Sequence, residues 1–300
     1  MHFVVNLAIP VLVIFMMLVV GLALDLVDFQ RVRKMPLLAT VVLAAQTLAL
    51  PLLAGILIHA LHPEPGLAGG LILVAASPIA AISNYYSLLA RGDAALAVTL
   101  TACSSALALL TLPLVAAAGF QVLVAQEVAI ALPLGKTALQ VLIGLVLPII
   151  AGMTVRRFAP VWAQRHHRML TRSSLAALAL LVAYVVFDQA GVIIRGAREL
   201  ALAAILFTSA TFVIGYALSW LLREGARQRI AITIGFGIRN LSAAIMIGAT
   251  VLGRLDFVAF GAMFFLTQLV LTIPLIFVSR RVMTTHSATA NDPPALSSSL

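Results

Sequence analysis

The sequence predicts an all-α polytopic membrane protein, and three observations carry that prediction. Hydrophobic residues make up 63% of the 300 and charged residues 10%, too few charges to cover a soluble core of this size. Apolar runs close to the roughly 20 residues needed to span a bilayer recur from end to end. These runs are continuous rather than alternating with period two, which excludes a β-barrel. The formal charge of +9 does not point to nucleic acid, because the cations sit in short loops between the runs and no aromatic-interleaved basic face exists.

Nine spans are expected, at about 3–24, 36–61, 67–90, 94–118, 136–155, 173–190, 199–222, 230–251 and 255–279. The first is too long for the apolar part of a signal peptide and lacks a basic leader, so it is read as a span. The third is interrupted by Ser77 and Pro78 and carries Ser83 and Asn84 beyond the break. Between the fourth and fifth, the weakly amphipathic segment 121–135 is expected along the membrane surface. The sixth ends near Asp188, for which a solvated helix end is preferred to a proton relay. The eighth holds Gly235, Gly237, Arg239, Asn240 and Ser242 within eight residues. After the ninth, residues 283–300 read as a disordered cytoplasmic tail, leaving 1–282 as a single transmembrane unit. The lone Cys103 excludes an internal disulfide and offers no metal-site spacing.

Orientation follows from the cations. Of the 19 Lys and Arg residues, fourteen lie on one side, in loops around 31–34, 91, 156–172, 223–229 and 280–281. Four lie on the other, Lys136, Arg195, Arg198 and Arg254. The positive-inside rule then places the C-terminus in the cytoplasm and, with nine spans, the N-terminus outside, for a multi-pass protein of the plasma (inner) membrane. One cation remains. Arg239 sits about nine residues into the eighth span, roughly 14 Å along a helix and so near mid-membrane. An ionisable residue at that depth marks a functional site by default, against the alternative of a structural arginine that snorkels or bonds a carbonyl.

Each interrupted span combines a helix breaker with polar side chains at depth. Backbone groups freed inside a bilayer must be satisfied internally, so such breaks persist only where protein buries them or a wet cavity adjoins them. The third and eighth spans run in opposite directions, the pattern of an inverted-repeat transporter with its site at the repeat interface. The alternative is that Asn84 and Asn240 merely hydrogen-bond neighbouring helices. Positive ends of broken helices, together with Arg239, suit a carboxylate or sulfonate. An organic anion is therefore the expected substrate. An enzyme is not expected, since H-E-x-x-H is absent and no His or Lys lies at depth beside a serine. An anion channel is the rival class, separable by saturable uptake and counterflow.

GLALDLVDFQRVRKMP (21–36), AQTLALP (45–51), SPIAAISNYYSLLARGDAALAVTLT (77–101) and GIRNLSAAI (237–245) together resemble the bile acid:sodium symporter family, in particular its nine-helix bacterial-type members. Ser83, Asn84, Ala90, Gly92 and Asp93 are the most specific part of that likeness. The resemblance implies two broken helices crossing within a core domain (about 36–118 and 199–279) beside a panel domain (about 3–24, 136–155 and 173–190). It also implies Ser83, Asn84 and Thr101 as ligands of one sodium ion and Gln46 as a ligand of a second. Substrate contacts are expected from Asn84, Arg239 and Asn240, with Thr267 and Gln268 on the ninth span. The chain departs from the family in three places. Ala97 stands for a ligating serine, Gly235 for the glutamate that bridges both sodium sites, and Arg239 for the glutamine before the asparagine. The expectation is therefore alternating-access transport of a bile-acid-like, sulfonated or small carboxylate anion, weakly dependent on sodium or independent of it. A sodium-independent exchanger or facilitator is the variant of that reading. Apart from sodium no cofactor is implied, and the expected partners are the substrate and the bilayer, with no nucleic acid and no obligate protein.

Overall fold

A computed structural model describes residues 7–124 and 133–289, and among them every regular element is a helix. Proline opens the helices that begin at Ile9, Pro36, Pro65, Leu147 and Pro160, at a position where the missing N–H has no intrahelical partner to lose. α1 (Ile9–Ala23) begins this way at Pro10 and ends where Leu24 turns extended. Asp25 then caps α2 (Leu26–Gln30) reciprocally with Asp28, and the chain bends by 69°. α3 (Pro36–Leu61) ends on His62 in the left-handed region, at φ 46°. α4 (Pro65–Ala76) and α5 (Ile82–Leu89) are the two halves of the interrupted third span. α6 (Ala94–Gly119) is capped by Asp93, whose carboxylate accepts from Leu96 N–H at 3.0 Å.

α7 (Leu134–Val141) continues through a wide-turn segment into α8 (Leu147–Phe158), and α9 (Pro160–Asp188) follows after one residue. α10 (Ala190–Arg195) leads to α11 (Ala197–Leu221). α12 (Ala226–Gly237) and α13 (Leu241–Met246) flank the second break, and α14 (Asp256–Thr289) closes the described chain.

Six helices or helix pairs among the described residues are long and apolar enough to cross a bilayer, and α1 with its bent continuation makes a seventh. The other two expected spans are split into pieces too short to register singly, so helix length does not yield the count of nine. Leu48, Leu52 and Ile56 on α3 and Leu110 and Leu114 on α6 are exposed, the outward apolar surface of a protein whose solvent is lipid.

Two boundaries differ from the sequence reading. The cationic stretch after 155 is not an open loop, since α9 is helical from Pro160 through Arg165, Arg168 and Arg172. Ala, Gln, Leu and Arg all favour helix, so apolarity marked the membrane portion of this helix and not its length. α14 likewise runs to Thr289, past the expected start of the tail, and residues 290–300 are outside the described part. The expected surface segment 121–135 lies mostly outside the described residues as well.

Packing divides unevenly. α1 lies against α8 and α9, while α4 lies against α14 and α11 against α12 and α14. A Cβ on Gly21 would lie 2.1 Å from the Ile149 carbonyl oxygen, and one on Gly152 2.2 Å from that of Leu18. α1 and α8 therefore meet backbone to backbone, the small-residue contact of membrane helices.

Candidate transport site

The two breaks meet. Residues 78–80 and 238–240 pair as a short antiparallel bridge, with Ala80 N–H donating to Ile238 O at 3.0 Å and Asn240 N–H to Pro78 O at 2.8 Å. This pairing answers the accounting problem of interrupted helices, in which every freed backbone group needs a partner. The remaining orphans go to side chains. Ile79 N–H donates to Ser104 Oγ on α6 at 3.0 Å. The Ser77 carbonyl, left without a helical donor because Pro78 ends α4, accepts from Arg239 Nη2.

Arg239 is 3% exposed and sits on the crossing itself. Its Nη1 donates to Gln46 Oε1 at 3.2 Å, and Gln46 Nε2 donates on to Ser104 Oγ at 2.8 Å. One network thus links α3, α6 and both breaks. Among the described residues no carboxylate lies within ion-pair distance of the guanidinium, and its Nε has no partner. Dipoles alone compensate this buried charge, which leaves it able to favour an incoming anion. The space beside it, lined by Gln46, Ala76, Ser77, Ser104 and Thr111 among others, measures about 10 Å³. That is room for about one water.

A second polar group lies on α5 and α6. Thr101 Oγ1 donates to Asn84 Oδ1 at 2.9 Å. Ser83 is buried beside it in sequence with an unpartnered Oγ, and so is Ser87 one turn further along α5. The rest of the motif builds the joint and not a ligand set. Ala90 is fully buried, and Asp93 both caps α6 and donates its N–H to Arg227 O at 2.9 Å. The turn after one broken span is thereby tied to the start of the other.

Asn240 caps α13 through Oδ1, accepting from Ala243 N–H at 3.4 Å. Its Nδ2 points to Met17 Sδ on α1 at 3.6 Å, and Ser242 Oγ points to Met16 Sδ at 3.8 Å. Thr267 and Gln268 are buried on α14, but Thr267 bonds the Met263 carbonyl of its own helix and Gln268 Oε1 has no partner. Neither hydrogen-bonds Arg239, Asn84 or Asn240.

The sodium ligands inferred from resemblance divide accordingly. At the second position, Gln46 Oε1 is already held by the guanidinium, so a cation there would meet a like charge and the residues do not fit one. At the first, Ser83, Asn84 and Thr101 offer neutral oxygens suited to a hard cation but no carboxylate. Gly235 has no side chain to provide one; a Cβ there would lie 3.6 Å from Ile79 Cδ1, an ordinary contact. Sequence reasoning did not foresee Ser104 or the two methionines. Ser104 could have been found, since it lies three residues after Thr101 on one helix face.

Comparison with known proteins points to one family. The model of the Sodium Bile acid symporter family matches residues 10–196. The chain is 28% identical over 239 residues to the probable sodium/metabolite cotransporter BASS1 of Arabidopsis thaliana chloroplasts, covering 79% of this chain and 58% of that protein. It is 28% identical over 227 residues to the uncharacterized sodium-dependent transporter YocS of Bacillus subtilis, covering 75% of this chain and 69% of that one.

Proposed function

The chain belongs to the sodium bile acid symporter family, and from that premise we propose that it is a secondary transporter of an organic anion. In this reading Arg239 provides the positive charge that bound sodium provides in similar proteins. One observation carries it: the guanidinium occupies Gln46 Oε1 and the Ser77 carbonyl, the first of which resemblance assigns to a sodium ion. An anion at mid-membrane needs compensation of several kcal/mol, from a bound cation or from a side chain. A side chain supplies it at every sodium concentration. The relatives named sodium cotransporters support transport as the function, and the family's members are transporters rather than enzymes.

The test is uptake of taurocholate and of pyruvate into proteoliposomes, with sodium replaced by choline and with Arg239→Gln. Uptake that persists in choline and fails in the variant is expected. Loss of uptake on removing sodium from the unmutated protein overturns the reading, as does a variant that carries the anion as well as the parent. Saturation and counterflow are expected of a transporter, and their absence would mark a channel.

A further inference from the structure

We propose that the outer face of α9, near its start, is a binding surface for anionic phospholipid, with Arg165, Arg168 and Arg172 holding headgroup phosphates in the leaflet on the cation-rich side. This inference goes beyond the transport function and does not depend on it.

The length of α9 sets the depth of these residues. It has 29 residues, about 43 Å at 1.5 Å per residue, against about 30 Å of hydrocarbon. With Asp188 at one boundary, Arg168 lies about 30 Å away at the other. Arg165 then lies about 5 Å beyond that boundary, among the headgroups. Arg172 lies about 6 Å within it, where a long side chain reaches outward to the interface. Trp162 is 47% exposed and packs on His166 with ring centroids 4.8 Å apart. An amphipathic ring at that level is an anchor at a membrane interface.

Topology signalling requires cations on this side, but on no particular face of the helix. The face is what points to lipid. Val161, Arg165, Arg168 and Arg172 recur at spacings of four, three and four, so they form one stripe along α9. Ala176, Leu180, Ala183 and Phe187 continue that stripe across the membrane. Every member is exposed, Leu180 at 69% and Phe187 at 85%. The buried residues Ala163, Ala177, Leu181 and Val185 lie on the opposite side, where α9 meets α1, α8 and α14. The arginines therefore extend the surface that acyl chains cover, and not the protein's interior.

Their charges are unmatched within the protein. No Asp or Glu occurs in the sequence between Glu127 and Asp188, and among the described residues none of the three arginines forms an ion pair. Like charges three and four residues apart on a helix repel. A phosphate set between neighbouring guanidinium groups relieves that repulsion and accepts charge-assisted hydrogen bonds from their planar forks. Trp162 and Met169 flank the stripe with exposed apolar surface, which matches the boundary between headgroup and acyl chain. An acidic protein or a soluble polyanion would match the charge, but not a stripe that runs on into Leu180 and Phe187.

The test uses Trp162 as the reporter, after Trp220→Phe removes the other tryptophan. The full chain is reconstituted in vesicles of phosphatidylcholine and phosphatidylglycerol, with one or the other lipid carrying brominated acyl chains. Quenching of Trp162 then gives the relative binding constants of the two lipids at this face. Each basic side chain near an anionic surface strengthens association about fivefold. Phosphatidylglycerol should therefore be preferred about fivefold for one engaged arginine and on the order of a hundredfold for three. In the triple variant Arg165→Gln, Arg168→Gln and Arg172→Gln the ratio should fall to about one, while lysine at the same three positions should keep most of it. Arg195→Gln with Arg198→Gln, beyond the other end of α9, should leave the ratio unchanged. Should the glutamine variant fail to fold, the arginine-bearing protein still decides. Raising KCl from 0.1 to 1 M shortens the screening length from about 10 to about 3 Å and should reduce the preference severalfold. Equal quenching by both lipids in the arginine-bearing protein overturns the inference, as does a preference that survives in the glutamine variant. Displacement of the lipid by soluble pyrophosphate would assign the surface to a soluble anion and overturn it as well. No uptake is measured, so none of these outcomes touches the transport function.

Discussion

Exchanging the charge at the crossing should exchange the coupling. Consider Gly235→Glu combined with Arg239→Gln. A Cβ at 235 meets Ile79 Cδ1 at 3.6 Å and Cγ2 at 4.0 Å, so the new side chain starts without a clash. Removing the guanidinium releases Gln46 Oε1 and the Ser77 carbonyl as free oxygen ligands. The fixed charge of the site changes from plus one to minus one. Loaded with a monovalent anion, the parent is neutral, but the double variant carries two negative charges. Each uncompensated charge at that depth costs several kcal/mol, so the variant should move its anion only with two sodium ions bound. Below saturation its uptake should rise about a hundredfold for a tenfold increase in sodium, by mass action for two ions, while the parent responds little. The assay is initial taurocholate uptake against sodium at constant ionic strength, beside a melting curve. A folded double variant that transports with no sodium dependence would refute the charge-exchange reasoning.

Other expectations follow from single contacts. Asn84→Ala removes the acceptor of Thr101, which should lower stability by about 1 kcal/mol yet abolish uptake; normal uptake would remove Asn84 from the site. Gly21→Ala forces a methyl to within 2.1 Å of a backbone oxygen, whereas the nearest atom at Gly235 is 3.6 Å away. A melting curve should therefore show Gly21→Ala losing about 1–3 kcal/mol and Gly235→Ala losing little. For topology, a reporter fused at the C-terminus should be active only in the cytoplasm and one at the N-terminus only outside, and the reverse pattern would undo the orientation read from the cations.

How much of this was legible in the sequence depended on the kind of signal. α3 begins and ends at 36 and 61 as expected, because a proline opens it and a polar turn closes it. The breaks at Ser77–Pro78 and around Arg239 were readable from the polar and helix-breaking residues they contain. Their mutual pairing was not, since hydrogen bonds between Ala80 and Ile238 or Asn240 and Pro78 leave no mark on side-chain identity. Gln46 was picked by resemblance as a cation ligand; that the cation it meets is the side chain of Arg239 depends on how the two breaks cross in space. The methionines facing Asn240 and Ser242 look in sequence like any other apolar residue of a first span.

The fixed arginine also bears on direction. A symporter draws on the sodium gradient because the ion crosses with its substrate, but a side chain returns with the protein and contributes no gradient. On the proposed reading, net movement then follows the anion's own gradient and the membrane potential. At 100 mV, negative inside, one unpaired negative charge is opposed on entry by about 2.3 kcal/mol, which is a ratio of about fifty at 25 °C. If the arginine stays fixed while the anion crosses, net uptake against that potential is unfavourable, and the favoured modes are export or one-for-one exchange with another anion. In exchange the charge crossing in each direction cancels, so the potential drops out. Proteoliposomes preloaded with unlabelled taurocholate should therefore take up labelled taurocholate at the same rate whether or not a potassium diffusion potential is imposed. Net uptake into empty vesicles should fall as the interior is made negative. Equal insensitivity in both arms would mean that a compensating cation crosses with the anion, and Arg239 would then be an anchor of the crossing and not its counter-charge.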